Sequence, residues 1–426
     1  MWPFNWFSKR GIQLLNGSAS WRRLVWRRLW RQRKGKISIM TLLIWGIVAL
    51  GAPFLANDKP LWCRVEGQTY WPVWEEISGT AQWPTHFYTT TWYEHPYEAV
   101  LWPPIPYAAH TLDTRNRNYK SPFASQNVPT NRFRHWLGTD RLGRDVLAGM
   151  IYGARIALVV CVVAFVLAGG LGILFGGLAG FWGDERMRVR ADLAIISVLG
   201  LLIGIYEGFI AGTWQEGGTS WSHDLRQALP WWLGTALVLW LLRLSLPARV
   251  VPHWRLPLDL WVMRLIELMD TLPILLILIV LSGLVQKTSI LWTMLLIPLI
   301  GWYAVARYVR GELLSIRTRT WIDAARTLGL SEWQIFWRHA LPNAIGPVLI
   351  LLVYFTADVV AIEASLSFLG LGSAPEEITW GKLLAESRHN MRAWWLAVFP
   401  GLAIFGVLWL LHSLVDALNM ALEART

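Results

Sequence analysis

Few residues of this chain have the types and spacing that catalysis, nucleotide binding or metal binding require. The Gly-Lys pairs at Gly35 and Gly381 are followed by Ile and Leu, so neither completes the Gly-x-x-x-x-Gly-Lys-Ser/Thr loop that cradles phosphates. The 9 histidines are scattered, and no nucleophile motif accompanies them. We therefore expect a protein that is not an enzyme and that has no catalytic residue, no metal site and no cofactor of its own.

Two acidic residues lie in a strongly apolar segment, where inserting a charge into a membrane has a high free-energy cost. Asp358 and Glu363 fall in the apolar run 345–366. A charged side chain at the centre of a membrane span costs about 2.5 to 3.5 kcal/mol on insertion scales, and such residues often mark a substrate pathway. We interpret Asp358 and Glu363 as pathway residues, with hydrogen bonding between helices as the alternative.

The composition is that of a membrane protein. Of 426 residues, 54% are hydrophobic and only 16% are charged, and the mean hydropathy is +0.38. The formal charge of +11 could suggest nucleic acid, but the basic residues concentrate beside apolar runs and no nucleic-acid-binding motif occurs. Cys63 and Cys161 provide no disulfide framework, since Cys161 lies in an apolar run.

Charge patterning predicts the orientation of the first part of the chain. Residues 1–36 are strongly basic and contain no Asp or Glu, which favours a cytoplasmic N-terminus under the positive-inside rule. Residues 37–56 form a first transmembrane anchor, since about 20 apolar residues cross a ~30 Å hydrocarbon core. Residues 57–150 balance nine basic residues against nine acidic ones and are rich in Pro and Trp. We expect them to lie outside the cytoplasm, with tryptophans that form a docking surface, pack a small domain or lie in an aromatic belt at the membrane interface.

The remaining residues, 151–426, are predicted to form a transmembrane domain. Gly172, Gly176 and Gly180 recur every four residues along an apolar run and predict a face on which helices approach closely. Pro273 can kink the span that begins near Val262. Further spans are expected at 156–180, 290–306, 345–366 and 393–414.

Two more apolar segments interrupt this series. Residues 191–212 and 228–246 are joined by a short polar turn, and we interpret them as an inserted helical hairpin within about 184–260. Because a pair of spans returns the chain to the side from which it started, the insertion preserves the orientation of everything that follows.

A polar, helix-forming stretch at 308–343 separates two of the core spans. Small helix formers let a partner surface come close, Gly329 predicts a helix C-terminus, and Pro342 is expected to end the segment before it. This predicts a short helix, a turn and a second helix that can act as a lever; an ordinary solvated loop is the alternative. The candidate residues are Asp323, Ala324, Ala325, Gly329, Ile335, Leu341 and Pro342.

The order and spacing of these residues resemble the "EAA" coupling loop of permease subunits in ABC importers, with Asp323 in place of the usual Glu. Two other elements are similar to the second permease of the dipeptide, oligopeptide and nickel group, although a structural role would also explain them. The first holds Gly138, Thr139, Asp140, Gly143, Arg144 and Asp145, and the second holds Gly370 and Gly372. The length of 57–150 resembles the branch that takes up longer peptides or peptide-like antibiotics.

The resemblance implies an all-α, polytopic membrane helical bundle of the ABC type I importer kind. It implies six core spans plus the inserted two-span hairpin, and a long extracytoplasmic segment after the first span. Such a chain would form half of a peptide pathway in the bacterial plasma (inner) membrane, multi-pass and with a cytoplasmic N-terminus.

The resemblance also implies partners and leaves alternatives for the cargo. A second permease subunit, two cytosolic ATPase subunits or domains that bind ATP and Mg, an extracytoplasmic substrate-binding protein and membrane lipid are expected, and nucleic acid is not. A permease for nickel or another small solute is the first alternative. An ion-coupled secondary transporter is the alternative from a different class, and the buried acids fit it but the coupling loop does not.

Overall fold

The computed structural model describes residues 17–81, 83, 87, 92–184, 188–190, 253–255, 257–284, 290–371 and 377–423. Within them the chain is mostly helical. It divides into two compact units, one formed by Met1–Gly176 with Ile266–Thr426 and the other by Gly177–Leu265.

The N-terminal region consists of two consecutive helices and a short third one. Their bounds are α1 Gly17–Arg31, α2 Arg33–Leu50 and α3 Ala52–Leu55. Gln32 separates the first two because its backbone is extended, with ψ of 127°. Along α2, Ile37, Ile44, Ile47 and Leu50 are all more than half exposed. A row of exposed apolar side chains of this kind suits contact with lipid or another apolar surface.

The segment at 57–150 contains a small antiparallel sheet, so the all-α prediction is wrong there. Strands β1 Trp62–Val65, β2 Gln68–Tyr70 and β3 Ala99–Leu101 lie in the order β2-β1-β3. Glu66 and Gly67 form the β1–β2 turn with φ of 50° and 75°, a left-handed conformation that suits a two-residue hairpin. Short β-branched and aromatic stretches around such a turn favour strands over helix.

Aromatic side chains pack this segment together. Trp92 stacks on Phe87 at 4.7 Å and meets Trp83 edge-on at 5.2 Å, and Trp102 meets Phe133 at 5.5 Å between ring centroids. The interpretation that the tryptophans form the core of a small domain is therefore supported for these residues. By contrast Trp71 and Trp74, around the start of α4 Pro72–Ser78, remain more than half exposed.

Helix α5 Val146–Gly177 continues as a π-helix through Leu178–Trp182, so it begins ten residues before the predicted span. The prediction of a close-packing glycine face is confirmed at two positions. A Cβ on Gly172 would lie 2.4 Å from Val305, and a Cβ on Gly176 would lie 2.4 Å from the backbone oxygen of Ala306. Both neighbours belong to α8 Ile290–Arg317. The absence of side chains at these glycines lets the two helices touch backbone to backbone.

The ends of the predicted insertion lie side by side. Strand β4 Arg188–Arg190 pairs antiparallel with β5 His253–Arg255, with Arg188 opposite Arg255. The chain therefore leaves and returns at one place, and the inserted hairpin stays a prediction. The predicted apolar segments 191–212 and 228–246 lie outside the described residues.

The C-terminal half is a series of helices separated by short breaks. Their bounds are α6 Leu258–Thr271, α7 Ile274–Leu284, α8 Ile290–Arg317, α9 Thr320–Thr327, α10 Glu332–Ile335, α11 Leu341–Phe368, α12 Trp380–Ser387 and α13 Trp395–Glu423. Helices α6 and α7 meet at 80° across the break that holds Pro273, so the predicted kink is present. Arg307 on α8 forms a 2.7 Å ion pair with Asp270 on α6, and α11 packs against α8, α12 and α13.

Among the described residues, three helices are long and apolar enough to cross a membrane. They are Val146–Trp182, Glu332–Phe368 and Trp395–Leu422, and the bent pair α6–α7 would make a fourth. The count of six core spans stays a prediction.

Replacing Gly176 by Ala should weaken the packing of α5 against α8 by about 1 to 3 kcal/mol, the usual effect of an added group in a filled contact. The new Cβ would lie 2.4 Å from a backbone oxygen that cannot move cheaply. Gly170→Ala on the same helix is the control, because no atom lies within 4 Å of its added Cβ. Thermal unfolding in detergent should separate the two variants; equal midpoints would contradict the close contact.

Candidate functional site

The first half of the coupling loop is helix α9, which ends at a left-handed glycine. Gly329 has φ of 79°, its N–H donates to Arg326 O, and the N–H of Leu330 donates to Ala325 O. This pair of bonds is a Schellman cap, which satisfies carbonyls at the end of a helix and needs a residue that adopts positive φ. The predicted helix C-terminus at Gly329 is confirmed.

The second half begins two residues later with a capping box. The Ser331 hydroxyl accepts from the Gln334 N–H at 3.3 Å, and the Gln334 side chain accepts from the Ser331 N–H at 3.1 Å. Arg326 joins the two halves: it donates to Asp323 at 2.7 Å on its own helix and to Glu332 at 2.9 Å on α10. These bonds hold α9 and α10 at a fixed angle to each other across the turn.

Pro342 does not end the segment before it, so that prediction is wrong. Helix α10 passes through a π-helix at Phe336–Ala340 into α11, and Pro342 lies in the first turn of α11. A proline lacks the N–H that an α-helix interior needs, and the wider π turn before it shifts the hydrogen-bond register locally. The result is one continuous helical run, Glu332–Phe368.

The candidate coupling residues differ in exposure. Asp323, Ala324 and Gly329 are exposed, whereas Ala325 and Ile335 are buried within this chain. Leu341 and Pro342 are partly buried. Ala325 therefore allows close packing inside the chain, and Ala324 is the small residue on the outer surface.

Sequence reasoning missed three large apolar side chains that are exposed in this loop. Leu328 is 81% exposed, and Trp333 and Trp337 are both more than half exposed. The two indole rings stack at 6.3 Å with an interplanar angle of 8°. Their spacing of four residues, which places side chains on one helix face, was the available signal. We call Leu328, Trp333 and Trp337 the apolar coupling patch.

The loop before α5 is built on a buried network. Gly138 and Gly143 have φ of 82° and 89°, as their predicted turns require. Asp140 accepts from the N–H groups of Leu142 and Arg144 at 2.8 Å and forms an ion pair with the Arg144 side chain.

Thr139 and Asp145 anchor this loop to the helices. The Thr139 carbonyl accepts from the indole of Trp395 on α13 at 3.1 Å. Asp145 accepts from the Ala148 N–H in the first turn of α5 at 2.7 Å. These contacts lie inside the protein, and they support the structural interpretation of the element.

His135 is the centre of this network, and sequence reasoning did not assign it a role. Its imidazole is fully buried, with Nδ1 2.8 Å from Asp145 and Nε2 3.1 Å from Asp113, and it stacks on Tyr107. Burial alone would lower the pKa of His135, but the hydrogen bonds and charges of the two carboxylates raise it to about 8. Although burial opposes it, hydrogen bonds from His135, Asn116 and the Arg115 N–H lower the pKa of Asp113. A protonated imidazole thus ties the loop at Asp113 to the start of α5.

The motif element that holds Gly370 and Gly372 begins with the same type of helix cap that ends α9 in the coupling loop. Gly370 has φ of 82° and its N–H donates to Ser367 O, while Leu371 donates to Leu366 O. Gly372 lies outside the described residues. Beyond it, a Cβ on Gly381 would lie 2.2 Å from Ala364 O, so α12 packs closely on α11.

The two acids of α11 occupy different surroundings. Glu363 is 3% exposed, and its carboxylate accepts from the Ser367 hydroxyl at 2.7 Å. Asp358 is exposed on this chain and lies near His412 of α13. Helix-to-helix packing surrounds Glu363, whereas Asp358 faces outward.

The chain is similar in sequence to known transport proteins. Residues 244–426 match the family described as "binding-protein-dependent transport system inner membrane component". A putative peptide transport system permease protein of Brucella suis is 31% identical over 292 residues, covering 68% of this chain and 74% of that protein. The chain belongs to the ABC importer permease family.

Two relatives match this permease over nearly its whole length. The inner membrane ABC transporter permease protein YejE of Escherichia coli is 27% identical over 406 residues, covering 93% of this chain and 95% of that protein. The peptidoglycan transport system permease protein YejE of Agrobacterium fabrum is 26% identical over 427 residues, covering 94% and 92%.

The family fixes the class of the protein. A permease of this kind is a multi-pass inner membrane protein that works with other ABC components and leaves ATP hydrolysis to an ATPase partner. The secondary-transporter alternative is therefore excluded, and the predicted family is confirmed, whereas the coupling role of the loop stays a prediction.

The protein should lose stability between about pH 6.5 and pH 8 because of His135. Its pKa is about 8 when folded against an ordinary 6.5, so its contribution is complete below pH 6.5 and lost as pH rises through 8, about 2 kcal/mol in all. Unfolding midpoints in detergent against pH measure this change. His135→Gln should flatten the profile, whereas His110→Gln at an exposed position should leave it intact. A wild-type slope retained in His135→Gln would refute this assignment.

Proposed function

We propose that this permease forms half of a translocation pathway for peptides, paired with a second permease and driven by cytosolic ATPases that bind its coupling loop. The observation that carries the proposal is the rigid helix–turn–helix at Thr320–Ala340, fused without a break to α11. The pathway acids, the partners and the orientation belong to the same proposal.

The loop has the construction of a lever. Its first half follows α8 after a short turn at Thr318 and Arg319, and its second half continues as α11. Because Arg326 links the two halves, a displacement of α9 would be passed to α11 instead of being absorbed at Gly329. Two ATPase subunits or domains that bind ATP and Mg would supply the displacement, switching the pathway between its two sides, and hydrolysis would reset it.

The exposed residues define the surface that an ATPase would bind. Asp323, Ala324 and Gly329 are joined there by the apolar coupling patch. Large apolar side chains at the centre of an exposed polar region are typical of interface anchors. The buried Ala325 and Ile335 would keep the loop in shape, and Leu341 and Pro342 would mark its transition into α11.

Peptides are the proposed cargo, with nickel or another small solute as the second candidate. Two relatives, a putative peptide transport system permease and a peptidoglycan transport system permease, support by their names a peptide-like substrate. A soluble binding protein would deliver it to residues 57–150 outside the cytoplasm, following a cytoplasmic segment 1–36 and a first anchor at 37–56. Of the proposed pathway acids, exposed Asp358 is placed to meet a substrate directly, whereas buried Glu363 would need α11 to move.

Gly329→Asp should reduce co-purification of the ATPase with the permease at least about tenfold, the effect of losing a central interface anchor. The new side chain would strain a φ of 79° and place a charge on the docking surface. Gly370→Asp is a matched control, because Gly370 has φ of 82°, the same cap and equally open space around its Cβ. Membrane insertion should be normal for both. Equal ATPase recovery from the two variants would overturn the coupling assignment.

The proposed orientation places Leu328 in the cytoplasm and Phe123 outside. These side chains are 81% and 82% exposed, so single cysteines at the two positions should react well, while native Cys63 and Cys161 are buried. An impermeant maleimide added to intact spheroplasts should label Phe123→Cys only, and lysis should expose Leu328→Cys. Labelling of Leu328→Cys in intact spheroplasts would contradict the proposed orientation.

A further inference from the structure

Beyond the coupling loop, α11 and α13 together present a polar patch on an exposed face. Tyr354 and Asp358 are one turn apart on α11, and both are exposed. The ring of His412 on α13 meets Tyr354 edge-on, with centroids 5.3 Å apart. We call Tyr354, Asp358 and His412 the α11–α13 polar patch.

The patch lies well inside the apolar length of α11. Asp358 is 17 residues after Leu341 and 10 before Phe368, about 15 Å from the nearer helix end at ~1.5 Å per residue. Ionisable side chains at such depth face a protein interior or a water-filled cavity because lipid cannot solvate them. Glu363 meets this condition within the chain, since it is buried and bonded to Ser367. Asp358 is exposed on this chain, where His412 of α13 is its ionisable neighbour among the described residues and leaves the carboxylate open to a further partner.

The hydrogen-bonding groups of the patch are mostly acceptors. His412 Nδ1 is 2.7 Å from the Leu408 carbonyl oxygen, and since a carbonyl only accepts, Nδ1 carries the proton. In the neutral ring Nε2 is then an acceptor. The Asp358 carboxylate adds two acceptor oxygens and a negative charge.

The two helices carry no permanently charged cation that would neutralise this carboxylate. Neither α11 nor α13 contains a Lys or Arg. An ammonium group, which has three N–H donors and a positive charge, complements the carboxylate and Nε2, and it gains a further attraction over the ring of Tyr354.

We propose that the α11–α13 polar patch binds the free amino group of the transported substrate. The proposal rests on the proposed function, because it places this face on the water-filled pathway and takes a peptide as cargo. It predicts that the permease distinguishes peptides with a free amino terminus from N-acylated ones. A basic residue of the second permease is the competing occupant.

Cysteine accessibility tests whether the face is aqueous. In a background with Cys63→Ser and Cys161→Ala, Tyr354→Cys in the full complex in nanodiscs should react with a charged methanethiosulfonate about tenfold faster than Ile47→Cys, since only a water-exposed thiol ionises readily. Ile47, 69% exposed on an apolar stretch of α2, is the lipid-facing control. Tri-alanine should slow the labelling and N-acetyl-tri-alanine should not. Equal rates at both positions would overturn the proposal, as would labelling that neither peptide slows.

Transport by the reconstituted complex tests selectivity. Asp358→Asn should reduce the uptake ratio of tri-alanine to N-acetyl-tri-alanine about tenfold, as expected when a charged hydrogen-bond acceptor is lost. Asp416→Asn, at an exposed acid one turn beyond His412 on α13, should leave the ratio unchanged.

The outcomes separate this proposal from the proposed function. Uptake of both peptides with a ratio insensitive to Asp358→Asn would overturn the amino-group site and leave the peptide permease standing. Uptake of neither peptide by the wild-type complex, with nickel accumulating instead, would overturn both.

Discussion

The angle between the two halves of the coupling loop depends on one guanidinium group. Arg326 bonds to Asp323 on α9 and to Glu332 on α10, across the turn that Gly329 makes. Exposed ion pairs of this kind contribute little to stability, typically ~0 to 1 kcal/mol. Their value here is geometric, because the four-residue connection 328–331 would otherwise be a hinge. With the capping box at Ser331 and the continuous helix into α11, a polar loop becomes a stiff extension of a membrane span.

Asp323, which is one methylene shorter than the Glu usual at this position, fits the same geometry. Asp323 pairs with Arg326 three residues later at 2.7 Å, one turn along the same helix face. The Asp323 side chain stays 67% exposed in this pair, so it remains on the outward surface together with Ala324 and the apolar coupling patch. In this permease the acid therefore contributes to the shape of the loop from within the chain.

The structure uses the same type of helix cap on α9 and on α11. A Schellman cap with a left-handed glycine ends α9 at Gly329 and α11 at Gly370. In the loop before α5 the buried charges are paired, because His135 bridges the carboxylates of Asp113 and Asp145. Asp358, by contrast, is exposed and has no Lys or Arg on its own helix or on α13. A charge satisfied internally holds elements together, whereas a charge left outward at membrane depth points to something outside the chain.

The sequence alone determined the class of the protein and much of the local geometry. Apolar run lengths, the spacing of the coupling-loop residues, and the glycines at Gly329, Gly138 and Gly176 depend on backbone sterics and helix periodicity, which are local. The π turn that carries the helix through Pro342, the burial of Ala325, the sheet in the outer segment, and the meeting of His135 with Asp113 and Asp145 were decided by the tertiary structure. Each of these depends on neighbours far along the chain, and no local propensity specifies which distant side chain will lie within hydrogen-bonding distance.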